Sequence, residues 1–180
     1  MTLNQIKRRL EQVALSHKQI NAFYFTSSFM ALTDLLANSD LIYPACITEL
    51  LPSNISASEN QTQINFRFWF VDQVNVSDKS KSNEVEVLSD MTSVAEDYIS
   101  LISDPVYNDD WTIGDSHSLD FYVEEFADLV GGVSISSSVS VDFLSDRCKV
   151  PAYSISEYSG LLTEEGLQIL SEEGTLIITE

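Results

Sequence analysis

Ile64-Asn65-Phe66-Arg67-Phe68-Trp69-Phe70-Val71-Asp72-Gln73-Val74-Asn75-Val76 is the stretch that decides the fold of this chain. Ile64, Phe66, Phe68 and Phe70 alternate on one face, and Trp69 and Val71 lie on the other. Successive side chains of a strand point to opposite faces. Apolar residues on both faces therefore predict a central strand covered on both sides.

Downstream, a short charged turn at Asp78 to Ser82 leads into the clearest helix, Asn83 to Ser103. Val87, Met91, Val94, Ala95, Tyr98, Ile99 and Ile102 form its apolar side. Asn83 is placed to cap it, Glu84 and Glu86 suit the positive end of the helix dipole, and Pro105 lies just past its end. Three strand-like stretches follow, Trp111 to Ile113, Leu119 to Phe126 and Val133 to Phe143. In the last, Val133, Ile135, Ser137, Val139, Val141 and Phe143 alternate with Ser134, Ser136, Ser138, Ser140 and Asp142. One face should be buried and the other small, polar and open, with Gly131-Gly132 as the turn or bulge before the strand.

Upstream, Leu3, Ile6, Leu10, Val13, His17 and Ile20 recur at spacings of three and four, the stripe of an amphipathic helix. Thr2, with Gln5 three residues on, is a candidate cap. His17 falls on the apolar stripe and reads as a partly buried, hydrogen-bonded histidine rather than a catalytic one. A short strand at Asn21 to Phe25 and a short helix at Phe29 to Ala37 come next, and Asn38-Ser39-Asp40 breaks the helix. Leu41 to Leu51 is strand-like around Pro44, which argues for a strand start or a sheet edge. Pro52 to Gln63 is polar and reads as a loop. The expected fold is thus α+β: a mostly antiparallel sheet with a long helix packed on it and an N-terminal amphipathic helix.

The tail has a different pattern. Leu162-Thr163-Glu164-Glu165-Gly166-Leu167-Gln168-Ile169 is followed by Leu170-Ser171-Glu172-Glu173-Gly174-Thr175-Leu176-Ile177, and Ile178-Thr179-Glu180 begins a third copy. An eight-residue repeat with Glu-Glu-Gly at each turn predicts short strands joined by tight turns, with a flexible acidic tail as the alternative. The boundary falls in Pro151 to Ser159, which divides the chain into an α+β domain at 1–151 and an acidic extension at 152–180.

At 180 residues and 44% hydrophobic, the chain is long enough for a domain that buries roughly 70% of its unfolded surface. Cys46 and Cys148 have no CxxC partner and no companion histidines, so both read as buried thiols of a reducing cytoplasm. The start at Met1 lacks the basic flank and apolar core of a signal peptide, and no run is long enough to cross a membrane. Nine bases face 28 acids, a net charge of -19. Lys7, Arg8, Arg9 and Lys18 fall in the first helix, whereas sixteen acids against two bases lie from Asp104 onward. Such a surface repels phosphate, so direct sequence-specific nucleic-acid binding is not expected.

Reacting groups are scarce. His17 and His117 are far apart in the sequence, and Asp115-Ser116-His117-Ser118 holds triad residue types as near neighbours, which seldom converge. No GxSxG elbow, GxxxxGK[ST] loop or GxGxxG turn is present. Asp109-Asp110, Glu124-Glu125, Glu164-Glu165 and Glu172-Glu173 lack the alternating spacing of a calcium loop and read as solvated faces. Trp69 and Trp111 read as core or interface anchors. No catalytic residue, metal or cofactor is expected.

This order of elements is similar to the tail-terminator and tail-completion proteins of long-tailed phages, an α+β fold with a helix on a sheet. Ile64 to Val76, Leu88-Ser89-Asp90-Met91 with Ala95-Glu96-Asp97, and Phe126-Ala127-Asp128-Leu129-Val130-Gly131-Gly132-Val133 leading to Cys148-Lys149-Val150-Pro151 also resemble proteins of phages and prophages of Bacteroidetes-type bacteria. The likeness spans residues 1–151; the family-like core usually ends there, whereas residues 152–180 follow here. The resemblance implies a virion protein, made in the host cytoplasm, that forms a homo-oligomeric ring. The ring would close a tail tube or join it to the head, with tail-tube, neck, portal or adaptor proteins as neighbours and no cofactor or membrane. Short-tailed phages stack similar folds as neck or collar rings, and that placement stays open.

For such a ring the charge asymmetry suggests a joint between Lys7, Arg8, Arg9 and Lys18 of one subunit and Glu124, Glu125 and Asp128 of the next. Exposed pairs contribute only about 0 to 1 kcal/mol each, so they set register while apolar burial supplies affinity. The alternative is an acidic protein that mimics DNA and inhibits a basic host partner, which requires an extended negative stripe.

Overall fold

A computed structural model describes residues 1–37, 41–56, 58–75, 82–104, 111–125, 129–142, 169–170 and 176–177. The chain divides into two compact units, Met1–Leu144 and Ser145–Glu180. The expected division after residue 151 lies outside the described residues.

The first unit begins with helix α1, Leu3–Ser16. Thr2 and Gln5 form a reciprocal capping box: the Gln5 N–H donates to Thr2 Oγ1 at 3.4 Å and the Thr2 N–H to Gln5 Oε1 at 2.7 Å. Strand β1 (Ala22–Thr26) and helix α2 (Phe29–Leu36) follow, the latter capped by Ser28. Strand β2 runs Ala45–Ser56, starting directly after the cis Tyr43–Pro44 bond. The Pro44 carbonyl accepts from the Asn21 N–H at 2.8 Å, which ties the start of β1 to that of β2.

Strand β3, Gln61–Gln73, is antiparallel to β2. The segment Pro52 to Gln63, expected as a loop, is instead the end of one hairpin, with β2 reaching Ser56 and β3 starting at Gln61. The polar composition misleads because Pro52 cannot donate to the ladder, and the register shifts between Leu51 and Asn54 to absorb it. Asn65 heals the gap: its N–H donates to Ser53 Oγ at 3.1 Å and its side-chain amide to the Pro52 carbonyl at 2.6 Å.

Helix α3 spans Glu84–Ser103. Asn83 precedes it but makes no side-chain cap; its Oδ1 accepts the Asn75 N–H at 2.7 Å, and Ser82 Oγ takes the Glu84 N–H at 3.2 Å. Strands β4 (Thr112–Ile113), β5 (Ser118–Glu125) and β6 (Leu129–Asp142) complete the unit. The sheet order is β1-β2-β3-β6, with β4 and β5 both on the far side of β6. Only β1 and β2 pair in parallel; the rest of this sheet is antiparallel, so the fold is α+β as expected.

The sheet buries both faces. On one, Ile6, Leu10 and Val13 of α1 and Val87, Met91, Val94, Tyr98 and Ile102 of α3 pack on Phe66, Phe68, Phe70, Val133, Ile135, Val139 and Val141. Tyr98 sits at the centre, its ring 5.3 Å from those of Phe68 and Phe70 and its hydroxyl donating to the Leu10 carbonyl at 3.3 Å. On the other face, Leu32 and Leu36 of α2 cover Ala22, Ala45, Ile47, Val71 and Val130. Strand β3 is therefore central, as its alternation predicts.

Gly131 and Gly132 are not a turn. Both lie within β6, paired with Asp72 and Val71. A Cβ on Gly132 would lie 2.0 Å from the Phe70 carbonyl oxygen, so the residue is glycine because two strands approach closely. In the second unit, β7 (Ile169–Leu170) and β8 (Leu176–Ile177) pair antiparallel; Glu172-Glu173-Gly174 between them lies outside the described residues.

Candidate protein-interaction surface

The face that α2 covers carries a buried apolar cluster at one end. Its buried cluster takes in the ends of β2, β3 and β6 near Ala45, Val71 and Val130, and α2 is the only helix in it among the described residues. Beyond that cluster, pairing sets one residue from each of five strands in a row: Thr26, Glu49, Arg67, Ser136 and Ser118. Directly paired residues point to the same face, so this is a polar band across the sheet.

The band is tied together. Trp69 Nε1 donates to Glu49 Oε2 at 3.1 Å, and Arg67 Nε donates to Ser136 Oγ at 3.3 Å. The Arg67 guanidinium lies 5.7 Å from the Trp69 ring centroid, and the ring of Tyr122 meets Trp69 edge-on at 5.1 Å. Glu49 is buried, which the indole N–H helps to offset. Ser134 is buried as well, and Ser136, Ser138 and Ser140 are half-buried, so the serine face is less open than its alternation suggests. Its described polar groups include the Arg67 guanidinium and serine hydroxyls.

Among the described residues, the candidate reacting groups lie apart. His17 is half-buried with Nε2 3.3 Å from Asp97 Oδ2, a surface tie between α1 and α3 that matches its expected role. His117 lines a cleft of about 470 Å³ with Trp111, Thr112 and Asp115. Its Nδ1 is buried without a hydrogen-bond partner, so Asp115-Ser116-His117 assembles no acid-base relay, which needs the base oriented by such a bond. Trp111 is a core residue, 7% exposed. Among the described residues, no group of three or more His, Cys, Asp or Glu is placed to hold a metal ion. Cys46 is a free, fully buried thiol, and burial pushes its ionisation far above the ordinary range; Cys148 lies outside the described residues.

The expected joint residues are split. Lys7 points along α1 toward β1, with Nζ 5.5 Å from the Phe25 ring centroid. Arg8 and Arg9 instead line a polar cleft of about 710 Å³ between α1 and the β4–β6 end, with Trp111, Ser140 and Asp142. Lys18 is exposed beyond the end of α1 at His17. Glu124 and Glu125 occupy the end of β5, paired with Val130 and Leu129, and Asp128 lies outside the described residues. What sequence reading missed is the Glu49, Arg67 and Ser136 band. Its one local signal is a lone arginine inside an aromatic strand.

No family model matches the chain. No curated protein matches it either. Among solved structures, a histidine kinase domain from the blue-light activated histidine kinase of Erythrobacter litoralis aligns at 9% identity with a TM-score of 0.20. The match covers 77% of this chain and 62% of that one, less than two thirds of its length. A likeness so weak carries no argument about fold or function. No described helix is long and apolar enough to cross a membrane.

Proposed function

We propose that the chain is a virion structural protein that forms a ring at the head-tail joint or tail terminus of a tailed phage. It acts through contacts with its own copies and with tail-tube, neck, portal or adaptor proteins. The observation that carries this reading is a sheet whose outer strands among the described residues include β5, with an exposed phenylalanine, Phe121, on it. Phe29 and Met30, at the start of α2, are exposed by 59% and 76%. Large apolar side chains left in water mark contact surfaces when they cluster on one element. The half-buried Arg67 and Ser136 of the polar band add hydrogen-bonding groups of the kind found at the rim of such contacts. The reading asks no chemistry of the chain.

Its test is the chain's place in an intact particle, by electron microscopy together with native mass spectrometry alongside tail-tube or neck partners. A symmetric ring at the head-tail joint or tail tip is the expected result. A chain that is absent from the particle and never joins a ring with those partners would end the proposal.

A second reading has one observation in its favour. Glu86, Asp90 and Asp97 share an exposed stripe of α3, which spans about 16 Å at 1.5 Å per residue. A carboxylate line of that kind suits an acidic mimic of DNA acting on a basic host protein. Salt-sensitive binding to a DNA-binding protein, lost in Asp90→Asn, would favour it over the ring.

A further inference from the structure

Among the described residues, β5 is hydrogen-bonded to β6 alone and β1 to β2 alone. Among those residues, no strand lies beside the outward side of either, and such an edge invites another strand unless it is blunted. Strand β5 is eight residues long and pairs with β6 in unbroken register; it has no proline, no lysine and no bulge. Leu119 and Phe121 pair with Ile135 and Val133, so they share the face that α3 covers over the neighbouring strands. They remain 39% and 59% exposed because the helix layer does not extend over them.

Strand β1 is complementary. Phe23 and Phe25 are partly buried on that same face, and Lys7 of α1 stands over Phe25. Direction also fits. β1 is parallel to β2, and each of the next three pairings reverses the chain, so β5 runs antiparallel to β1. A second copy placed beside the first in the same orientation thus brings its β5 antiparallel to β1, with the helix faces on one side. Leu119 and Phe121 then meet Phe23, Phe25 and the alkyl stem of Lys7. Antiparallel pairing of β5 with its own copy about Tyr122 sets Asp120 opposite Glu124 twice, with no base on either strand, which like-charge repulsion disfavours.

We propose that β5 of one copy adds to β1 of the next, so that the sheet continues from subunit to subunit through a head-to-tail joint. Such a joint uses two different surfaces and repeats until it closes a ring or grows a filament. This deepens the ring reading by naming the contact between copies.

The test uses the full chain and complementing variants. Phe121→Lys disables β5 at a largely exposed position, and Phe23→Glu with Lys7→Glu disables β1. Native mass spectrometry and sedimentation should find the unaltered chain self-associating as concentration rises, and each variant monomeric. An equimolar mixture of the two variants should give a dimer and nothing larger, because one intact β1 and one intact β5 remain. A monomeric unaltered chain overturns the proposal, as does unchanged association of Phe121→Lys. A Phe23→Glu, Lys7→Glu variant that dimerises alone overturns it in favour of β5 pairing with itself. Thermal unfolding of each variant checks the fold; if the β1 pair unfolds, Lys7→Glu alone should weaken association by up to about fivefold. The outcomes separate this joint from the function proposed above. Edge pairing in a protein absent from particles leaves the joint standing and the ring reading fallen, and a particle ring built from edge-independent monomers does the reverse.

Discussion

Gly132→Ala probes the centre of the sheet with a single methyl group. The added Cβ would sit 2.0 Å from the Phe70 carbonyl oxygen, 3.0 Å from its carbon and 3.1 Å from the Tyr122 hydroxyl. Relief requires β3 to retreat by about 1 Å, yet Phe70 is fully buried and held against Tyr98. Forced overpacking costs about 1 to 3 kcal/mol, sometimes more. The loss of unfolded-chain freedom from Gly to Ala returns only about 0.4 to 1 kcal/mol. A net loss of about 2 kcal/mol, the upper end of that cost less the return, is expected, because the obstacle is backbone rather than a side-chain tip. The control is Gly114→Ala, whose Cβ would meet the Ser138 hydroxyl at 2.8 Å, a group that can rotate away. Urea unfolding followed by tryptophan fluorescence should place Gly132→Ala far below the unaltered chain and Gly114→Ala within about 1 kcal/mol of it. Equal stability of the two variants would refute the reasoning.

Two further substitutions test other links. Tyr98→Phe removes the hydroxyl that donates to the Leu10 carbonyl and should cost about 1 kcal/mol in the same unfolding assay; no loss would mean that the α1–α3 tie contributes nothing. The Asp72 carboxyl is raised above its ordinary range, first by burial and then by Asp90, against a lowering hydrogen bond from the Gln73 N–H. Its protonated form is therefore favoured by folding, and the stability that it contributes is present in acid and lost as pH rises through the raised value. Asp72→Asn, which keeps an oxygen for Gln73, should stabilise the protein at neutral pH by about a few tenths of a kcal/mol, allowing for solvent screening. That advantage should vanish below about pH 4, and a gain that persists in acid would contradict it.

The alternation of Phe66, Phe68 and Phe70 located the middle of the sheet, because a period of two with apolar residues on both faces has few other solutions. The spacing of Val87, Met91, Val94 and Tyr98 did the same for α3. The failures share a cause: the deciding contact is remote in sequence. Gly131-Gly132 looks like a turn until β3 is laid beside it, and Pro52 looks like a strand end until Asn65 supplies the missing partners. The polar band was hidden for the same reason, since Glu49, Arg67 and Ser136 meet only once register is known. Lys7, Arg8 and Arg9 are consecutive on a helix, so they cannot all face one neighbour, and Lys7 indeed turns toward β1 while the arginines line a cleft.

The edge strands bring the charge pattern and the apolar pattern together. Exposed ion pairs are worth little, so the acids of β5 cannot hold a joint; Phe121, if covered, buries far more favourable surface. What the acids can do is choose. Asp120 opposite Glu124 sets a cost on pairing β5 with its own copy, while the uncharged strand beneath Lys7 carries no such cost. An edge with an apolar anchor and no charge would pair without discrimination, and one with charge alone would not pair at all. In the proposed joint, affinity would come from one aromatic ring and selection from the carboxylates of β5, so that the sheet would extend in a single direction.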